Sequence, residues 1–171
     1  YVIPMGLDKN NDSQQAFNMI EYFKRNGVTL KELKEDVGNY KKGDLVVDMA
    51  QAKRGYANHI LYKGSNESAW SAMYAELLVN FPDMRGFKAE AVFKDKLFDG
   101  KLGDVTALRA TRTSEINHSA PYYVIANTSD SAVKAVNQAI RQGKKVYLTD
   151  DGYIVDTPTF ENLLGDYAIY G

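Results

Sequence analysis

The chain has 171 residues, 21 Lys and Arg against 22 Asp and Glu, and a formal net charge of −1, with 44% apolar and 25% charged residues. That length suits a single domain able to bury about two thirds of its unfolded surface, and the apolar share separates it from disordered chains. There is no basic excess to mark a nucleic-acid binder and no apolar run near the ~18 residues that span a bilayer; with no cysteine, the chain also lacks disulfides, thiolate metal sites and a cysteine nucleophile.

Tyr1-Val2-Ile3-Pro4 reads as a strand, because aromatic and β-branched residues suit a pleated surface. No signal peptide is visible in the sequence, and the start inside an apolar run reads as a piece of a longer protein, with any targeting signal outside these residues. A polar loop follows, with Asn10 and Asn11, and then a helix over 13–26. Asp12 or Ser13 is its cap, Ala16, Met19, Ile20 and Phe23 form one apolar stripe, and Lys24 and Arg25 suit the negative end of the helix dipole. Gly27 suits the left-handed residue that ends it. Leu45-Val46-Val47 reads as a buried strand closed by Asp48. Helices are expected over 50–62, stopped at Gly64, and over 67–80, ended by Pro82. Residues 83–103 read as a loop with a short helix, and Val105 to Ala110 as a strand.

Tyr123-Val124-Ile125-Ala126 then repeats the opening plan. After the polar turn Asn127-Thr128, Ser129 or Asp130 caps a helix whose stripe is Ala132, Val133, Val136, Ala139 and Ile140. Arg141 precedes Gly143, and a new apolar run begins at Val146. The β-α-β plan thus appears twice, 122 residues apart, and predicts parallel strand pairs with right-handed crossovers. Asp150-Asp151-Gly152 between two apolar runs signals a hairpin, and Thr157-Pro158 opens a final short helix. The expected fold is α/β, an open, mostly parallel sheet with helices on both faces, in one domain over 1–171.

Candidate chemistry is sparse. His59 sits on a predicted helix and His118 in a polar loop, and neither belongs to an H-x-x-E or H-E-x-x-H pattern. No G-x-S-x-G elbow or phosphate-binding glycine pattern occurs. Asp150 and Asp151 are adjacent, as in a solvated turn, with Asp156 nearby. In an open α/β sheet ligands bind beyond the carboxyl ends of the strands, which makes Asp48, Asn127, Thr128 and Ser129 the candidate ligand-binding residues. The same residue types also serve as helix caps. Trp70, Tyr74, Leu77 and Phe81, followed by Phe87, Phe93 and Phe98, form an aromatic stretch that suits a core stripe or a surface packed on a neighbouring domain.

Three segments carry a family resemblance: Tyr1-Val2-Ile3-Pro4, Asp44-Leu45-Val46-Val47-Asp48-Met49-Ala50-Gln51-Ala52-Lys53-Arg54-Gly55-Tyr56-Ala57-Asn58, and Tyr123-Val124-Ile125-Ala126-Asn127. On these the chain resembles the C-terminal region of multidomain bacterial zinc carboxypeptidase-like proteins, a region similar in fold to class I glutamine amidotransferases. The resemblance implies a flavodoxin-like or amidotransferase-like sheet, an extracellular or cell-surface location, and a preceding peptidase domain that carries zinc through an H-x-x-E pair and a later His. This chain has no H-x-x-E, so zinc would belong to the parent's peptidase domain, with no cofactor in the chain itself. Without Cys the covalent glutamyl step of an amidotransferase has no attacking group.

The expected function is therefore a non-catalytic accessory domain packed beside that peptidase domain, assisting access of peptide or cell-wall substrate. No nucleic acid and no membrane segment enter the expectation. The alternatives are a sugar or amino-acid binding module at Asp48, Asn127 and Ser129, and a hydrolase using Ser or acidic residues with His118.

Overall fold

The structure is a computed structural model that describes residues 1–6, 11–64, 80–107, 110 and 116–171. Its elements run β1 (Val2–Ile3), α1 (Ser13–Arg25), β2 (Lys31–Leu33), β3 (Leu45–Val46), α2 (Arg54–Leu61), α3 (Phe81–Arg85), β4 (Leu102–Gly103), β5 (Tyr122–Ala126), α4 (Asp130–Arg141), β6 (Tyr147–Thr149), β7 (Gly152–Asp156) and α5 (Thr157–Leu164). The chain forms two compact units. The first holds Tyr1–Pro4 and Asn18–Thr106, the second Met5–Phe17 and Ala107–Gly171, so α1 starts in the second and ends in the first. Among the described residues no helix is long and apolar enough to cross a membrane.

The expected open parallel sheet is not there. Two small antiparallel sheets take its place, one of four strands in the order β1-β3-β2-β4 and one of three in the order β5-β7-β6. The flavodoxin-like, amidotransferase-like fold is thereby corrected, and the physical reason lies in the middle strands. β1 and β2 are each antiparallel to β3, and β5 and β6 are each antiparallel to β7. The strands joined by a helix therefore do run the same way, as the crossover predicts, but a third strand is wedged between them. Each copy is a split β-α-β with the strand that follows it in the chain inserted into the gap.

The two copies agree at the end of the helix as well. In α1, Gly27 has φ 73°, its N–H donates to the Lys24 carbonyl, and the Val28 N–H donates to the Phe23 carbonyl. In α4, Gly143 has φ 73°, its N–H donates to the Ile140 carbonyl, and the Lys144 N–H donates to the Ala139 carbonyl. This pair of bonds satisfies the last helical carbonyls and sets the direction in which the chain leaves. Both copies enter the next strand at the fourth residue after that glycine, at Lys31 and at Tyr147.

Packing differs between the units. In the first, β1 and β3 are buried on both faces, as is β2 at Glu32 and Leu33, while β4 is half-buried. Val2, Leu33 and Val46 cluster with Val37 under Tyr40, Val92, Leu97, Phe98 and Leu102, while Ile3 and Leu45, from the opposite face, are fully buried too. Glu32 is the one charged residue of those strands that is buried, at 6% exposure. Its carboxylate accepts the Thr106 N–H at 2.6 Å, the Thr106 hydroxyl at 3.0 Å and the Lys34 ammonium at 3.3 Å. Burial works to raise this carboxyl, but the bonds from Thr106 and Lys34 outweigh it and hold it below its ordinary range.

In the second unit one face of the sheet is covered. Ile125 and Val155 pack against Ala132, Ala135, Val136 and Ala139 of α4 and Phe160 and Leu163 of α5, with Ile169 from the tail. Tyr123 stacks on Phe160 with ring centroids 4.1 Å apart. The buried stripe of α4 includes Ala135, while Val133 and Ile140, expected in it, are exposed. Small alanines let the helix approach the sheet closely, and the larger side chains turn outward.

Other boundaries shift. α2 starts at Arg54, not at 50. Pro82 opens α3 in place of ending a helix, with Asn80 as its cap. A strand of that region is Leu102–Gly103; of the expected strand over 105–110, residues 105–107 and 110 are not strand, and 108 and 109 lie outside the described residues. Asp12 caps α1, accepting the Gln14 N–H at 2.9 Å, and Asp156 caps α5, accepting the Thr159 N–H at 2.9 Å, while the Thr157 hydroxyl donates to the Ala120 carbonyl. The expected helix over 67–80 and the residues Trp70, Tyr74 and Leu77 fall outside the described residues apart from Asn80. Of the remaining aromatics, Phe87 is buried, Phe81 stacks on Tyr22 at 5.7 Å, and Phe98 meets Tyr40 edge-on at 5.6 Å, whereas Phe93 is fully in solvent.

Candidate functional site

In an antiparallel sheet neighbouring strands enter from opposite ends, so no shared carboxyl edge exists to gather strand-end residues. The candidate ligand residues accordingly have separate settings. Asp48 belongs to the first unit, and Asn127, Thr128 and Ser129 belong to the second.

Asp48 follows β3 and is exposed. One carboxylate oxygen accepts the Ala50 N–H at 2.8 Å, an Asx turn that bends the chain toward α2, and its carbonyl accepts from the Gln51 amide at 2.6 Å. It also lines a cleft of about 360 Å³. The apolar wall comes from Val46, Val47, Val92, Leu97, Phe98 and Leu102, and the rim carries Asp48, Lys94, Asp95, Lys96 and Asp99. Lys96 holds φ 57°, a left-handed conformation that costs a non-glycine residue about 1–2 kcal/mol and turns the chain into the tight segment before β4. The chemistry this offers is an apolar slot with charges of both signs at its mouth. Of the wall residues from 92 to 102 the sequence singled out Phe98, as part of the aromatic stretch, but not Val92, Leu97 or Leu102, which fell in the expected loop.

In the second unit, Ser129 is the cap of α4. Its hydroxyl accepts the Ala132 N–H at 3.1 Å, so its oxygen already has a structural task. Asn127 and Thr128 are exposed in the turn before it. Asn11 is buried and donates its amide to the Gly6 carbonyl at 2.7 Å, and Asn10 lies outside the described residues. His118 is exposed in a turn flanked by Asn117 and Ser119, whose N–H donates to the Asn117 side chain at 3.0 Å. His59 is exposed in the last turn of α2 in the first unit. Asp150 and Asp151 form the two-residue hairpin loop between β6 and β7. Among the described residues no group of three or more His, Asp or Glu side chains converges.

A second surface was missed by sequence. The face of β5-β7-β6 away from the helices exposes Tyr122, Val124 and Tyr147. Tyr147 stands opposite Ile154, which stands opposite Val124, and Tyr122 stands opposite Asp156. Tyr122 is 62% exposed and Tyr147 57%. With Lys145 they line a recess of about 200 Å³. The signal was available as alternation, because Tyr122 and Val124 share one face and Tyr123 and Ile125 the other. The continuous apolar run of β5 concealed it by resembling a strand buried on both sides.

No protein-family model matches this chain. No curated protein matches it, and no solved structure does.

Proposed function

We propose that this chain is a non-catalytic accessory module that packs beside the peptidase domain of a zinc carboxypeptidase-like protein. The supporting observation is the open face of the β5-β7-β6 sheet. Tyr122, Val124, Tyr147 and Ile154 together make an apolar, aromatic surface, and tyrosine is enriched where protein surfaces meet because it gives large contact area at low entropic cost. Lys145 and Asp156 at its margin supply polar contacts of both signs. Zinc chemistry in this reading belongs to the parent's peptidase domain.

Hydroxyl-radical footprinting tests it. Tyr122 and Tyr147 become protected when the chain is joined to that peptidase domain, while Phe93 stays reactive. Equal reactivity of the tyrosines in both states overturns the reading, and so does zinc-dependent peptide cleavage by this chain alone.

The cleft beside Asp48 favours a second reading, a module for a small zwitterionic ligand such as an amino acid, with its apolar part against Phe98 and Leu102. At 100 times its dissociation constant such a ligand adds about 2.7 kcal/mol of stability. A thermal-shift screen of amino acids and sugars detects it, and an absence of any stabilising compound counts against it.

A further inference from the structure

The structure assigns a self-association edge to strand β6: we propose that two copies of this chain pair antiparallel through β6, with Leu148 opposite Leu148. This inference uses the edge of the second sheet and does not depend on what covers its face.

The hydrogen-bond pattern fixes which backbone groups of β6 point outward. Opposed residues in an antiparallel ladder alternate between pairs that exchange both hydrogen bonds and pairs that exchange none. Thr149 and Gly152 flank a two-residue loop and form a bonded pair, as do Tyr147 and Ile154 two residues on. Leu148, opposite Tyr153, is therefore a non-bonded position relative to β7, and its N–H and carbonyl face away from the sheet. The far edge of the sheet obeys the same alternation. Ala126, opposite Gly152, turns its N–H outward and donates it to the Tyr170 carbonyl at 2.9 Å. That edge is thus partly covered by the tail, whereas among the described residues no strand pairs with the outer side of β6.

The first unit shows what this position takes when it is filled. β2 holds the place in the first copy that β6 holds in the second, and its outer edge is paired with the antiparallel strand β4, Glu32 opposite Gly103 and Leu33 opposite Leu102. The second copy has no such strand among the described residues. Its edge residues are instead all exposed, and Leu148 is 72% exposed although it lies on the helix-covered side of the sheet.

Charge selects a second copy as the occupant. The sequence Lys144-Lys145-Val146-Tyr147-Leu148-Thr149-Asp150-Asp151 is basic before the strand and acidic after it. Two such strands laid antiparallel are complementary at both ends. Pairing Leu148 with Leu148 lets the two residues exchange both outward hydrogen bonds, keeps each sheet face continuous, and brings Lys145 of each copy to the end of the sheet where the other copy's Asp150-Asp151 loop turns. Tyr147 then lies opposite Thr149, and the two Leu148 side chains cover each other. A parallel arrangement would set like charges together. The strand is short and buries less than the ~800 Å² per partner of a standard interface, so the dimer is weak, dissociates on dilution and loosens in high salt.

Sedimentation velocity across a concentration series tests this. The wild-type chain shifts from monomer to dimer toward about millimolar concentration, the affinity range of a weak contact. K145D and D151K each stay monomeric, because each sets like charges face to face, but an equimolar mixture of the two forms the heterodimer. Wild type that remains monomeric throughout, single variants that dimerise as wild type does, or a mixture that fails to associate overturns the proposal. A second measurement covers the case in which a charge variant fails to fold. In a chain with no other cysteine, L148C oxidises to a disulfide-linked dimer, because paired positions place Cα atoms within disulfide reach. V133C, on the exposed side of α4, serves as the control, and equal cross-linking of the two variants refutes the pairing.

Discussion

The two copies of the split β-α-β share a topology and a helix ending yet live under different conditions. In the first, β1, β3 and β2 are buried on both faces and β2 has β4 on its outer edge. In the second, β5, β7 and β6 have one covered face and one that exposes Tyr122, Val124 and Tyr147, and among the described residues no strand pairs with the outer edge of β6. The buried copy tolerates a carboxylate, Glu32, because Thr106 and Lys34 satisfy it, whereas the open copy displays Leu148 and two tyrosines. Backbone plan and surface chemistry are thus specified separately. Local capping and helix exits set the plan, and the identity of side chains at alternate strand positions decides which surface is offered to partners.

The largest test of this contrast is Phe160→Ala. Phe160 is fully buried, and its loss removes the stack on Tyr123 and opens a cavity in a core whose other buried members are alanines and branched aliphatics. A cost of about 3–5 kcal/mol is expected on chemical denaturation. Amide exchange should accelerate first in β5, β7 and α4 if the copies have separate cores. Next comes Gly152→Ala. Gly152 has φ 143°, and a Cβ there would lie 2.1 Å from the Ile125 carbonyl oxygen, so the β5–β7 ladder must separate locally. At least about 3 kcal/mol is expected from backbone strain and the clash together, read as a lowered denaturation midpoint.

Glu32 gives a test confined to the buried copy. Its folded carboxyl lies below the ordinary value of 4.5, so the unfolded chain binds the proton more readily. The stabilisation is complete above that value and is lost as pH falls through the folded pKa. Glu32→Gln should cost about 1–3 kcal/mol at neutral pH and flatten the acid limb of the stability profile, measured by urea unfolding from pH 3 to 7. The smallest effect is expected for Ser129→Ala, about 1 kcal/mol from the lost cap on α4. If Ser129 also contacts a ligand, the substitution will abolish a ligand-induced thermal shift and not merely lower the baseline.

How much of this was legible in the sequence follows from the range of the interactions. Helices α1 and α4, their caps, the exits at Gly27 and Gly143 and the hairpin at Asp150-Asp151 depend on residues a few positions apart, and spacing exposes them. Strand adjacency depends on partners far away. Val2 pairs with Val46 and Tyr123 with Val155, and nothing in either short run says that the following strand will enter between two that a helix has joined. Asp48 could be singled out as a strand-end residue, but the cleft beside it is closed by residues 92–102, which read as a charged loop. Ser129 could be read as cap or as ligand, and its hydrogen bond to Ala132 identifies the cap.

The inserted strand has a consequence for synthesis. Among the described residues β5 and β6 pair with no strand but β7, so the ladder bonds of that sheet form only once residues 152–156 have emerged from the ribosome. Until then the nascent chain carries α4 with an apolar stripe and nothing to lay it on, a window in which holding chaperones would find their best purchase.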